Sequence, residues 1–171
     1  MRVDPTEMTE VEAASFARAI LVRKLTDRAH SRADLAQALA LKHVPAEVAG
    51  AVLDKFEDAG LINDEEFARS WVQSRQRSKG LAHKVLAMEL RRKGVAEEIA
   101  REALSELDPD AERQAAHRLV QKKLGSMQGL DQQVQIRRLV GLLARKGYAP
   151  QVAFEVVRQE LDVEAQALES M

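Results

Sequence analysis

The sequence contains no cysteine and few of the residues that interrupt helices. Its 171 residues include only eight glycines, four prolines, one tryptophan, one tyrosine and four phenylalanines. Without cysteine the chain can form neither disulfides nor thiolate sites for zinc or iron–sulfur clusters. Alanine, leucine, glutamate, arginine and lysine together make up more than half of the chain. This composition is typical of helical proteins and excludes an all-β fold.

Long apolar runs and an excess of one charge are also missing. Lysine and arginine number 26 against 27 acidic residues, so the net charge of −1 excludes a uniformly basic nucleic-acid binder. No apolar run reaches the ~18 residues that a membrane span needs, and residues 1–12 lack the features of a signal peptide. We therefore expect a cytoplasmic protein without a membrane partner, in which any basic surface is local.

The chain contains three copies of one unit. A shift of 51 positions aligns residues 15–53 with residues 66–104 without a gap and gives 11 identities in 39. The extra length of the third copy falls in the loop around residues 125–129. A shift of 53 positions places the third copy opposite the second, with Leu139, Leu143, Lys146 and Gly147 opposite Leu86, Leu90, Lys93 and Gly94.

Helix-start and helix-stop residues divide each copy into three helices. In the middle copy Asn63 and Glu66 resemble a capping box, and Gly80 ends the first helix. Phe67 and Trp71 lie one turn apart on that helix, so we expect both side chains in the core. The second helix of the copy ends at a glycine that can adopt a left-handed cap.

These patterns predict an all-α fold of nine helices in three tandem three-helix repeats. A unit of ~50 residues buries little surface alone, so we expect the repeats to stack into an elongated, curved array, and the protein to be a monomer. The predicted segments are an acidic N-terminal segment at 1–12, repeats at 13–60, 61–108 and 109–161, and an acidic C-terminal tail at 162–171.

Charge follows the repeat. The first two helices of each copy are basic and the third is acidic; residues 69–94 sum to +7 and residues 96–114 to −5. A stacked array would therefore present a positive stripe that suits an extended polyanion or an acidic protein groove. The alternative is that these charges only solvate the outer faces of amphipathic helices. The candidate binding residues are Arg69, Arg75, Arg77, Lys79, Lys84, Arg91, Arg92, Lys93, Arg137, Arg138 and Arg145.

The residue patterns of common enzymes are missing. Asp64, Glu65 and Glu66 lack the spacing of a calcium loop, and we interpret them as carboxylates that complement the dipole of a helix start. No two of the four histidines are spaced as metal ligands on one helix face, and no phosphate-binding glycine loop or nucleophile elbow occurs. We therefore predict a protein that is not an enzyme and has no catalytic residue, metal site or cofactor.

The motifs of the middle copy resemble those of the RecX family of bacterial regulatory proteins. The resemblance lies in GLINDEEFA at 60–68, in Trp71 and the cations that follow it, and in ELRRKGV at 89–95. It extends to SRADL at 31–35 and LLARKGY at 142–148, and so covers nearly all of the chain after residue 12. Leu142 departs from the family, which often has an aromatic residue at that position.

The resemblance implies a non-enzymatic modulator of the RecA recombinase. Members of the family look like curved arrays of three-helix repeats that lie in the groove of the RecA filament on single-stranded DNA. Binding there would inhibit ATP hydrolysis, strand exchange and filament extension, with single-stranded DNA as a further contact within the filament. The residues alone favour the repeat and the basic stripe, and RecA as the partner comes only from the resemblance.

Two other functions remain open at this point. A helix-turn-helix regulator would use residues 81–93 as a recognition helix and would bind a defined duplex site as a dimer. A helical-repeat scaffold for another protein would have the same fold, since fold does not determine function.

The stacked repeats predict a molecule longer than a globule of its mass. A compact chain of this length has a radius of gyration of about 16 Å. We expect small-angle X-ray scattering to give a clearly larger value. A value near that of the compact chain would contradict end-to-end stacking.

Overall fold

The computed structural model describes residues 4–170. Residues 1–3 and 171, which belong to the two predicted acidic segments, lie outside the described residues. The described chain contains a short 3-10 helix at Pro5–Glu7, nine α-helices and no strand, which confirms the all-α fold of tandem three-helix repeats. The α-helices are α1 Glu10–Asp27, α2 Arg32–Leu41, α3 Ala46–Asp58, α4 Asp64–Lys79, α5 His83–Arg92, α6 Glu97–Ser105, α7 Pro109–Leu124, α8 Gln132–Arg145 and α9 Pro150–Glu169.

Several helices begin at residues whose side chains satisfy the free amides of the first turn. Thr9 and Glu12 form a reciprocal capping box at the start of α1, and Ser31 caps α2. The predicted cap of α4 is confirmed, because the Glu66 amide donates to the Asn63 side chain at 3.1 Å. The starts of α1, α2 and α4 follow these local signals, whereas α3, α8 and α9 begin without a side-chain cap.

The second helix of each repeat ends in a residue with left-handed backbone. Gly94 after α5 has φ 70° and Gly147 after α8 has φ 97°. The equivalent residue after α2 is His43, with φ 60°. The predicted left-handed caps are thus present, although one of them uses a residue other than glycine.

Two compact units divide the helices differently from the sequence repeats. The first comprises residues 4–70 and 90–100, and the second comprises residues 71–89 and 101–170. In the first unit α1, α2 and α3 pack against one another. Their shared core is made of small, branched and aromatic apolar side chains, among them Ala13, Ala17, Leu21, Leu35, Leu39, Val52, Leu53 and Phe56.

The first unit also contains the contact between the start of α2 and the turn that follows α5. The Ser31 hydroxyl donates to the carbonyl of Lys93 at 2.6 Å, and the Lys93 ammonium lies 3.2 Å from the Asp34 carboxylate. The Arg32 amide donates to the carboxylate of Asp64 at 2.9 Å. We use the word joint for such a contact between one repeat's second-helix start and the next repeat's left-handed turn.

The second unit packs α7, α8 and α9 around its own core. Buried side chains of this core include Ala116, Val120, Leu124, Leu139, Leu143, Val156 and Val157. A second joint connects the start of α5 with the turn after α8. The Ala82 amide donates to the Lys146 carbonyl at 2.8 Å, and the His83 amide donates to the Glu112 carboxylate at 3.1 Å.

Glycine at the left-handed turn lets the two sides of each joint approach closely. A Cβ on Gly147 would lie 2.8 Å from the backbone nitrogen of Val85, and a Cβ on Gly94 would overlap the Cβ of Ala33. Real Cβ atoms essentially never approach other heavy atoms this closely, so a larger residue would force the helices apart.

One expectation about the core was wrong in part. Phe67 is buried, but Trp71 is only half-buried. Its indole N–H donates to Glu89 at 2.9 Å, and the guanidinium of Arg75 lies 4.2 Å from its ring centroid. The apolar spacing correctly placed Trp71 near the core, whereas its polar edge needed a hydrogen-bond partner at the surface.

The glycines of the joints give a stability test. Gly94→Ala adds a side chain at a left-handed residue and against Ala33, so it should lower the free energy of unfolding by roughly 2 to 4 kcal/mol. Gly50→Ala is the matched control, because Gly50 lies inside α3 with open space around it. The control should instead raise stability by about 0.5 to 1 kcal/mol. Urea unfolding measures both, and equal effects of the two substitutions would contradict the close approach at the joint.

Candidate functional site

The eleven candidate cations lie on α4, α5 and α8 or in the turn after α5. Arg69 lies midway along α4, and Arg75, Arg77 and Lys79 lie in its last turns. Lys84 lies in the first turn of α5, and the last turn of α5 and the turn after it supply Arg91, Arg92 and Lys93. Helix α8 supplies Arg137, Arg138 and Arg145. Cations near a helix C-terminus are favourable there because they complement the negative end of the helix dipole.

Most of these cations point into solvent. Seven of them are exposed, and their side chains form no ion pair with other residues of the described chain: Arg77, Lys79, Lys84, Arg92, Arg137, Arg138 and Arg145. Arg69 is also exposed. The seven exposed cations without an ion pair therefore contribute little to folding.

Arg75 is held in place by an aromatic ring. Its guanidinium stacks over Trp71, and Glu89 fixes the indole from the other edge through the bond to its N–H. A cation over an indole face gains roughly 0.5 to 1 kcal/mol at a partly exposed site. This small cluster is oriented before any partner binds.

Lys93 and Arg91 differ from the others because they already have partners. The Lys93 side chain is 31% exposed and paired with Asp34, which is 25% exposed, so this ion pair belongs to the joint. Arg91 pairs with Glu97 at 2.8 Å, but both side chains are at least 70% exposed and water screens the pair. Arg91 can therefore exchange partners easily, while Lys93 has a structural role.

A cleft of about 570 Å³ opens beside the joint of the second unit. Its lining combines the cations Lys84 and Arg113, which come from different helices, with His83 and the carboxylate of Glu112. Arg113 is paired with Glu155 at 2.8 Å. The sequence did not single out His83 or Arg113, because no motif links the starts of α5 and α7.

Tyr148 forms the buried wall of this cleft. Its hydroxyl donates to the carbonyl of Gly80 at 2.8 Å and lies 3.2 Å from the carbonyl of Glu112. Burial, followed by the negative charge of Glu112, raises the pKa of the Tyr148 phenol well above its ordinary value. The phenol is therefore a hydrogen-bond donor that stabilises the joint and a poor general base.

Several titratable residues outside the set of candidate cations are held within the fold. Asp64 accepts the hydrogen bond from the Arg32 amide, so it caps a helix of the neighbouring repeat. Nδ1 of His117 lies 2.6 Å from a carboxylate oxygen of Glu160. Burial and the charge of Arg28 lower the pKa of His30. Within residues 4–170 no three His, Asp or Glu side chains come together as metal ligands.

We compared the length and hydropathy of the helices with those of a membrane span. None of the described helices is both long enough and apolar enough to cross a bilayer.

Comparison with known families identifies the class of protein. Three models of consecutive three-helix domains match this chain in order, at residues 17–56, 63–104 and 110–157. They describe the first, second and third three-helix domains of RecX. The class is thus a regulatory protein built from three tandem three-helix domains.

Whole-chain comparisons agree with the domain matches. The regulatory protein RecX of Streptomyces coelicolor is 46% identical over 155 residues, which cover 91% of this chain and 82% of that protein. That of Thermobifida fusca is 44% identical over 86% of this chain and 80% of its own length. The chain belongs to the RecX family.

The solved structures support the same fold. A crystal structure of RecX from Lactobacillus salivarius superposes with a TM-score of 0.78 and covers 88% of this chain and 97% of its own, at 18% sequence identity. At that identity the likeness concerns the fold alone. The family resemblance seen in the sequence and the all-α repeat architecture are both confirmed.

Tyr148 gives a prediction about alkaline stability. An unfolded tyrosine ionises near pH 10, whereas the folded Tyr148 keeps its proton to higher pH. Its contribution to stability is fully present below about pH 10 and is lost as the pH rises further, because the unfolded state then releases the proton first. Urea midpoints of wild type should therefore fall more steeply above about pH 10 than those of Tyr148→Phe.

The same variant has an expected cost at neutral pH. Tyr148→Phe leaves the Gly80 carbonyl without its donor and should lower the free energy of unfolding by about 1 to 3 kcal/mol. Parallel alkaline profiles for the two proteins would show that the Tyr148 phenol has no raised pKa.

Proposed function

We propose that this protein binds the RecA filament on single-stranded DNA and inhibits its ATPase, strand exchange and filament extension. It does so by contact, without a reaction of its own. Membership of the RecX family over most of the chain supports RecA as the partner. The set of exposed cations without ion pairs is the observation that supports contact through charge.

The exposed cations do little within the chain itself. An exposed charge without a partner adds almost nothing to folding and repels its neighbours. A series of such residues on α4, α5 and α8 is therefore better explained by an external partner of negative charge. Attraction of this kind raises the rate of association and fixes the register of the bound partner.

The candidate cations divide into two roles within this proposal. Arg77, Lys79, Lys84, Arg92, Arg137, Arg138 and Arg145 make direct contacts with acidic protein or with phosphates in the filament. Arg75, fixed over Trp71, offers a cation that loses little freedom on binding. Arg69 and Arg91 add to the positive surface, and Lys93 maintains the joint through Asp34. The protein acts in the cytoplasm, as a monomer.

Charge reversal tests the proposal directly. Replacing Arg77, Lys79 and Lys84 by glutamate should raise the concentration needed for half-inhibition of the DNA-dependent RecA ATPase by at least about tenfold. Tenfold corresponds to ~1.4 kcal/mol of lost binding, a modest demand on three reversed charges. Wild-type inhibition should weaken with salt, which shortens the screening length from ~10 Å at 0.1 M to ~3 Å at 1 M. Helical content measured by circular dichroism should remain unchanged.

The matched control reverses the same number of exposed cations on the acidic third helices. Replacing Lys55, Arg101 and Arg158 by glutamate gives the same net charge and should leave inhibition within about twofold of wild type. Equal loss in both variants would mean that net charge and not the proposed surface governs binding. Unchanged RecA turnover with excess wild-type protein would reject RecA as the partner, and tight binding to duplex DNA without RecA would favour a helix-turn-helix regulator.

A further inference from the structure

The two joints share one design. On one side a carbonyl and a left-handed glycine form an acceptor turn, at Lys93 with Gly94 and at Lys146 with Gly147. On the other side the start of the preceding repeat's second helix supplies the donor. The donor is the hydroxyl of Ser31 in the first joint and, 51 positions later, the amide of Ala82 in the second. A further repeat would need the same two halves.

The first repeat carries an acceptor turn with no preceding repeat. Lys42 and His43 occupy the positions of Lys93 and Gly94, and the backbone after α2 has the same left-handed form. Within residues 4–170 the Lys42 carbonyl receives no hydrogen bond. Leu41 beside it is 72% exposed. The turn is therefore shaped as half of a joint and left uncovered.

A side chain blocks this turn. At Gly147 even a Cβ would approach the backbone of Val85 to 2.8 Å, and His43 places a Cβ and an imidazole ring at the equivalent position. No helix start can approach His43 as α5 approaches Gly147. A left-handed residue other than glycine is unfavourable, and residues held in such conformations cluster at functional positions.

The third repeat carries the donor half, and it is blocked in another way. Helix α8 has 14 residues where α2 and α5 have 10, and the additional turn lies at its start. Gln135, the equivalent of Ala82, therefore lies inside the helix, and its amide already donates to Asp131 at 3.0 Å. The amide that would donate to another acceptor turn is therefore already hydrogen-bonded within α8.

We propose that the Lys42–His43 turn is a closed docking edge for a second copy of this chain. The segment that fits this turn is the start of the second helix of another repeat. Binding of that segment from a second copy would extend the array head to tail. His43 closes the acceptor half in the first repeat, and the added turn of α8 closes the donor half in the third. Together they limit the array to three repeats and keep the protein monomeric. This inference does not depend on RecA.

Opening both halves tests the proposal. The doubly opened chain carries His43→Gly and lacks residues 132–135, which form the added turn of α8. It should associate head to tail. The mass measured by sedimentation velocity should rise with protein concentration and exceed that of a dimer at about 1 mM. At that concentration a contact with a dissociation constant of about 1 mM is half occupied. Wild type and the two singly altered chains should stay monomeric under the same conditions.

Two controls separate removal of the block from other effects. His43→Asn keeps a Cβ on a residue that tolerates left-handed backbone, so in the shortened chain it should remain monomeric. Circular dichroism establishes that each chain is folded. A folded, doubly opened chain that stays monomeric at about 1 mM would overturn the proposal. Association of His43→Gly alone, as strong as that of the doubly opened chain, would overturn the role of α8.

A second pair of chains keeps the test valid if the shortened loop does not fold. In both chains a copy of residues 58–108 is joined in front of residue 9 and is followed by residues 9–171. One chain retains His43, and the other carries His43→Gly. The added repeat should resist limited proteolysis at least about tenfold longer in the chain with His43→Gly, because only there can it complete a joint. Equal cleavage of the added repeat in the two chains, whether fast or slow, would reject His43 as the block.

Discussion

The carbonyl that ends the second helix of a repeat is the group on which the structure depends. The last carbonyls of a helix have no partner within it, and a left-handed glycine leaves them accessible. The Lys93 carbonyl is satisfied by the Ser31 hydroxyl and the Lys146 carbonyl by the Ala82 amide, in each case from the preceding repeat. A local requirement of helix termination thus becomes the contact that connects the repeats. The glycines and the carboxylates of Asp64 and Glu112 all serve this contact.

The two joints meet the same requirement with different chemistry. The first is ionic at its edge, where Lys93 pairs with Asp34 and Arg32 pairs with Asp54 and Glu57. The second has a buried phenol instead, whose hydroxyl reaches the carbonyl of Gly80. Salt should therefore affect the first joint more than the second. Cations near helix ends accordingly differ in their surroundings, since Lys93 is part of a joint while its neighbour Arg92 is exposed.

Features that depend on residues close in sequence could be predicted, and those that depend on the neighbouring repeat could not. The cap at Asn63, the end of α4 at Gly80 and the buried positions of Leu86 and Leu90 follow from local spacing. The pairing of the Arg32 amide with Asp64 does not, because it joins residues 32 positions apart. Trp71 shows the same limit for the site: its spacing gave its helix face, but its contacts with Glu89 and Arg75 depend on how α5 packs. The candidate cations were selected from the sequence by charge alone. Which of them form ion pairs within the chain depends on where the fold places acidic side chains, as it does beside Lys93 and Arg91.

The middle repeat is continuous in sequence but divided between the two compact units. Helices α4, α5 and α6 each begin in one unit and end in the other, as the unit boundaries after residues 70, 89 and 100 show. A cut after residue 60 would therefore remove residues 61–70 and 90–100 from the first unit, and a cut after residue 108 would remove residues 71–89 and 101–108 from the second. Each cut would also separate the two sides of a joint. Excising the middle repeat would remove three helices and both acceptor and donor surfaces at once. For protein engineering, the exchangeable piece of this fold is the span from one joint to the next, and a modular design should place its breakpoints inside the helices of a repeat.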